Sequence, residues 1–209
     1  KYIKENNISA DILLEPVDEW MNMTDSQDTN ILEYYYQDQN KYAFAFQINA
    51  LISRVRQIMN FIKDSKQKIH FVERSIFTDK NVFMLANYNT GNITEIEKNI
   101  YEEWFDYLRS ISNLNPDGFI YMNTNYNTCN ERIIQRSRDG ESGIPLEYLK
   151  SLEEYHVQWL DKEKKVRYIN VLNIDSNDDF FKNPEKLQEE LKKVFTFTNF
   201  LQGQKLNMC

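Results

Sequence analysis

Ala10 to Pro16 reads ADILLEP, an apolar run that ends on a carboxylate and is stopped by a proline. A short apolar run closed in this way has the pattern of a buried strand. Lys68 to Glu73, KIHFVE, repeats it and again closes on a carboxylate. Gly118 to Met122 (GFIYM) supplies a third strand, and Val166 to Ile174 holds a fourth. Between the first two lies Lys41 to Lys63, the longest helical pattern. There Phe44, Ile48, Leu51, Val55, Ile58 and Ile62 recur every three or four residues and mark a core face. Ser75 to Tyr88, Thr94 to Ser112, Thr128 to Arg138, Pro145 to Trp159 and Pro184 to Leu201 are further helical patterns, and Thr94 with Glu97 forms a candidate capping box. Strands separated by helices predict an α/β fold with a parallel sheet. In such sheets ligands sit beyond the carboxyl ends of the strands. Glu15 and Glu73 occupy such ends, and so do the segments leading to Arg132 and Asp178.

The chain has 209 residues and no repeat, low-complexity segment or clear linker, which predicts a single domain over 1–209. Its formal net charge of −7 argues against a general nucleic-acid or membrane-surface binder, because phosphate backbones demand an extended basic face. No run of about 18 apolar residues exists, so no transmembrane helix is expected. Cys129 and Cys209, with His70 and His156, have no metal-site spacing. The cysteines read as free thiols in a reducing compartment, which points to the cytoplasm. The chain begins with Lys1, so a removed targeting segment stays open.

Two clusters stand out chemically. In Arg132 to Tyr148 (RIIQRSRDGESGIPLEY), Arg132 and Arg136 share one helix face, and Arg138 follows just ahead of Gly140 and Gly143. Planar, permanently charged forks on a hinged segment suit the oxygens of a transferring phosphoryl group. A solvated basic helix end, favoured by the macrodipole, reads the same way. On the long helix Gln47, Ala50 and Arg54 form a second face beside the apolar stripe, flanked by Phe46; they either face water or line a polar pocket.

Five stretches, in order, carry a resemblance to the deoxyribonucleoside kinases, closest to the deoxycytidine and deoxyguanosine kinase branch. They are LLEPVDEW (13–20), FQINALISR (46–54), ERSIFTDKNVF (73–83), ERIIQRSRDGESGIPLEYL (131–149) and IDSNDDF (174–180). The resemblance implies a P-loop-kinase-like parallel sheet of about five strands flanked by helices, a lid within 132–145, and a homodimer joined by the Lys41 and Thr94 helices. It also implies transfer of the γ-phosphate of ATP, with Mg2+, to the 5′-hydroxyl of a deoxynucleoside in nucleotide salvage. The family's G-x-x-x-x-G-K-S/T loop has no counterpart here. The five glycines stand at 91, 118, 140, 143 and 203, and none is followed by lysine. The expectation is an incomplete chain without the first strand and the phosphate-binding loop, inactive as it stands.

By the same resemblance Glu15 is the general base and Glu73 sits near Mg2+. Arg74 holds the 5′-oxygen, and Arg136 and Arg138 close on the phosphates. Arg132, Asp178 and Phe180 lie toward the donor base. Trp20, Phe46 and Phe83 wall the acceptor base, and Tyr36 with Glu141 holds the 3′-hydroxyl. Gln47 can pair with a base edge that carries an amine beside a ring nitrogen, as cytosine and adenine do. A buried Arg54 needs a carboxylate, and Asp79 is expected to supply it. Asp79 accepts from an exocyclic amine and repels the carbonyl of thymine, which favours deoxycytidine and purine deoxynucleosides over thymidine. Two other readings stand beside this one. The first is a non-catalytic relative that keeps the nucleoside pocket or the dimer surface. The second is a nucleoside monophosphate kinase, disfavoured because Glu15 and the Tyr36/Glu141 pair would repel a phosphorylated acceptor.

Overall fold

The computed structural model describes residues 2–6, 8–112, 114–137 and 143–206. They fall into two compact units, one ending at residue 115 and the other starting at 116. Each contains one pair of parallel strands. The fold is mixed α/β, as predicted, and its strands pair in parallel within small sheets.

In the first unit a one-turn helix, α1 (Tyr2–Glu5), precedes β1 (Ala10–Leu13). Then follow α2 (Val17–Met21), α3 (Ile31–Gln37), α4 (Gln39–Asp64) and β2 (Ile69–Val72). β1 and β2 run parallel, with Ala10 opposite Ile69 and Leu13 opposite Val72. This register brings Glu15 and Glu73 out together at the strand ends: the amide of Glu73 donates to the Leu13 carbonyl at 2.8 Å, and that of Glu15 to Glu73 Oε2 at 3.4 Å. Contrary to expectation, β1 is not buried throughout. Ile12 in β1 is 57% exposed, and Leu14 just beyond it is 66% exposed.

α4 starts where the Asp38 carboxylate accepts from the Lys41 amide at 3.1 Å. Its 26 residues span about 39 Å. Of the two readings open for its second face, the inward one holds, and one residue of the apolar stripe departs from it. Gln47, Ala50 and Arg54 are buried with Leu51, Val55 and Ile58, whereas Ile62 is 43% exposed. The polar groups go inward because Arg54 finds carboxylates there.

After β2 the Ser75 hydroxyl caps α5 (Ile76–Thr78) by accepting from the Thr78 amide at 3.2 Å. The chain then winds as a π-helix over Asp79–Met84 before α6 (Leu85–Asn89). Periodicity predicts one plain helix here; the π register is set by packing and leaves no sequence signal. The Thr94/Glu97 capping box opens α7 (Glu95–Ile111), with both reciprocal bonds formed.

The second unit holds β3 (Gly118–Asn123), α8 (Tyr126–Arg136), α9 (Leu146–Val166), β4 (Asn170–Asp175) and α10 (Pro184–Leu206). β3 and β4 are parallel, from Gly118 opposite Asn170 to Asn123 opposite Asp175. Gly118 permits a close approach: a Cβ there would meet Leu201 and Phe197 side-chain atoms at 2.9 Å and the Asn170 carbonyl at 3.0 Å. Two boundaries move from their predicted places. α9 continues to Val166 because Leu160 and Glu163 are buried on its face, so β4 begins only at Asn170. α8 ends at Arg136, where Ser137 turns left-handed with φ 49°. Among the described residues, no helix is long and apolar enough to cross a membrane.

Candidate active site

At the carboxyl ends of β1 and β2, Glu15 Oε1 accepts from two guanidiniums: Arg54 through Nη2, and Arg74 through Nη1 at 3.1 Å. Both contacts fall on the same oxygen, so Oε2 is unengaged among the described residues. Arg54 Nε donates to Asp79 Oδ2 at 3.1 Å, which forms the predicted pair. Arg54 thus bridges two carboxylates while lying over the Trp20 ring, 5.0 Å from its centroid. Burial opposes the Arg54 charge, but Asp79 and Glu15 outweigh it and hold its pKa up. Burial pushes the Asp79 carboxyl up, against the pull of Arg54.

Arg74 sits at φ 55°, a left-handed conformation that costs a non-glycine residue roughly 1–3 kcal/mol and collects at functional sites. The strained turn points its guanidinium to Glu15 and over the Phe83 ring, 4.8 Å from the centroid. Glu73, beside it, is exposed.

The aromatic residues form one wall. Trp20 meets Phe46 edge-on at 5.3 Å, and its indole Nε1 donates to Ser53 Oγ at 2.8 Å. Tyr35 stacks on Phe46 at 4.8 Å. Of the three consecutive tyrosines, Tyr34 bonds Asp25, Tyr35 is buried, and Tyr36 is half-buried with its ring 5.5 Å from that of Tyr35. Among the described residues, Gln47 Oε1, Arg54 Nη1 and Tyr101 Oη are buried polar atoms with no hydrogen-bond partner, and the Tyr101 phenol feels the charges of Arg54 and Asp79. Burial drives the Tyr101 phenol well above its usual range. Buried polar atoms are normally matched, so unmatched ones on residues of the candidate site fit completion by a polar ligand. Ser53, Tyr35, Asn87 and Tyr101 lie outside the residues singled out by spacing or resemblance, because nothing in a helical pattern separates a packed polar group from a functional one.

In the second unit Arg132 Nη2 donates to the main-chain carbonyls of Ser176, Asn177 and Asp178, at 2.7, 3.3 and 3.0 Å. It therefore ties α8 to the acidic loop after β4. The Asp178 carboxylate pairs with Lys186 Nζ at 2.6 Å, and Phe180 is half-buried. Arg136 is exposed on the last turn of α8. Arg138 and Glu141 lie outside the described residues.

A model of the deoxynucleoside kinase family matches residues 3–199, and the chain belongs to that family. It is 31% identical to human deoxycytidine kinase, over 89% of this chain and 81% of that protein. It is 32% identical to deoxycytidine kinase 2 of Gallus gallus, over 91% and 81%. Human mitochondrial thymidine kinase 2 is 28% identical, over 75% and 57%. The chain's place is in the branch that resembles deoxycytidine kinase.

Proposed function

We propose that this kinase moves the γ-phosphate of ATP to the 5′-hydroxyl of a deoxynucleoside and prefers deoxycytidine and purine deoxynucleosides to thymidine. One observation carries this reading: Glu15, clamped at paired strand ends by Arg54 and Arg74 beside an unmatched buried amide. Such transfer needs alignment and charge neutralisation more than covalent chemistry. Held through Oε1, Glu15 has Oε2 for the 5′-hydroxyl. It takes the proton as the oxygen attacks the γ-phosphorus and ADP leaves. Arg74 neutralises charge on the 5′-oxygen. Arg136 and Arg138 serve the phosphates, Arg132, Asp178 and Phe180 the donor base, and Tyr36 with Glu141 the 3′-hydroxyl. Gln47 pairs with the acceptor base between Trp20, Phe46 and Phe83, and Asp79 accepts from its exocyclic amine. Mg2+ is commonly bound by one or two carboxylates together with substrate phosphates, and the exposed Glu73 fits that role. When bound, it neutralises the phosphate charge.

The enzyme is further proposed to be a cytoplasmic homodimer of one domain. Ile96, Ile100, Trp104, Tyr107 and Ile111 are all exposed at helical spacing on α7, a stripe that suits a second copy. Cys129 is a free thiol, in keeping with a reducing compartment.

The test is a deoxynucleoside panel with ATP and Mg2+. It is run on these 209 residues and on the same chain joined to a family G-x-x-x-x-G-K-S/T loop. The joined form is expected to phosphorylate deoxycytidine, deoxyadenosine and deoxyguanosine with higher kcat/KM than thymidine, and the 209 residues alone to give almost no turnover. Thymidine turnover equal to that of the others overturns the preference.

A further inference from the structure

Asn87, on α6, is buried with 1% exposure, and both ends of its amide are engaged. Its Nδ2 donates to the Phe83 carbonyl at 3.0 Å, near the point where the π-helix returns to α register. Its Oδ1 accepts from the Tyr35 hydroxyl at 3.3 Å and from Asn92 Nδ2 at 3.4 Å. Asn92 also donates to Gln39 Oε1 at 3.2 Å, at the start of α4. One amide thus links α3, the π-helix and, through Asn92, the helix that carries Gln47.

Each group it holds bears on the proposed pocket. Tyr35 is stacked on Phe46, and Phe83 lies under the Arg74 guanidinium. A π-helix is a strained register that persists only where its surroundings fix it. The hydroxyl bond of Tyr35 adds to its stacking in holding the ring against Phe46, and breaking a buried bond of this kind weakens that hold. We propose that Asn87 is a positioning residue and Tyr35 a specificity-determining one: the amide pins Tyr35 on Phe46 and Phe83 beneath Arg74, and so sets how wide a base the pocket grips. This rests on the nucleoside-kinase reading above. A pyrimidine fills less of the pocket than a purine, so a wall freed to move sacrifices more of the smaller base's contact.

The test is equilibrium binding of deoxycytidine and deoxyadenosine by calorimetry to the parent chain, Asn87→Leu, Tyr35→Phe and the double variant. In either single variant, deoxycytidine is expected to weaken about tenfold and deoxyadenosine no more than about twofold. The double variant is expected to be no worse than Asn87→Leu, because the Tyr35–Asn87 bond is already lost in that variant. General loosening of the fold would weaken both ligands alike, so an unchanged ratio overturns the proposal. Multiplying effects in the double variant also overturn it. Tyr35→Phe removes a single hydroxyl and carries the test if Asn87→Leu does not fold. A parent that binds neither nucleoside refutes the underlying reading and the inference with it, and is visible before any variant is compared.

Discussion

Gln47 and Arg54 show how single residues in this chain divide between binding and folding. Gln47 Oε1 is buried without a partner, a state that costs about 1–3 kcal/mol. Gln47→Leu is therefore expected to leave the ligand-free protein as stable as the parent or more so, while nucleoside affinity falls about tenfold or more. Denaturant midpoints and calorimetry on the same samples check both halves. Arg54 behaves in the opposite way. Replacing it with alanine leaves Asp79 as a buried carboxylate without its arginine and Glu15 with Arg74 alone, with an expected loss of about 3–5 kcal/mol in urea unfolding. Tyr121 supplies a pH signature. Burial, then Glu153 and Cys129, push its phenol up to about 12 from the usual 10. Between those values the unfolded chain has lost the proton and the folded chain keeps it, so rising pH favours unfolding. Stability is expected to fall from pH 10 to 12, and less steeply in Tyr121→Phe. Equal slopes in the two proteins would remove Tyr121 from the account.

Among the elements, α7 carries a clear signal in its sequence and the π-helix carries none. The capping box and the apolar spacing of α7 were legible because both are local. The outward stripe on α7 has the same period as the inward one formed by Tyr101 and Phe105, and only burial separates them. Ile100→Asp on that stripe is expected to shift sedimentation from dimer to monomer with little change in helix content. A parent that sediments as a monomer would refute the interface. The π-helix left no trace in the pattern, since one extra residue per turn over Asp79–Met84 barely alters apolar spacing. It nonetheless carries Asp79 and Phe83, two of the residues singled out from sequence.

Across the whole molecule, ligand binding and folding are linked. At a concentration about a hundred times its Kd, a nucleoside stabilises the folded chain by about 2.7 kcal/mol. Thermal shifts with deoxycytidine and deoxyadenosine are therefore expected to exceed the shift with thymidine at equal concentration; the reverse order would contradict the role given to Asp79. The α/β alternation, the helix caps, the family and the charged residues at the strand ends are all legible in the amino-acid order. Those features follow from periodicity, local hydrogen bonding and side-chain type, which act over a few residues. That Gln47 and Arg54 turn inward, that one glutamate oxygen takes both arginines, and that Tyr35 bonds Asn87 emerge from the packing of distant segments. The bonds that make these arrangements join residues 39 to 59 positions apart. Burial and hydrogen-bond matching at such separations are settled when the chain packs.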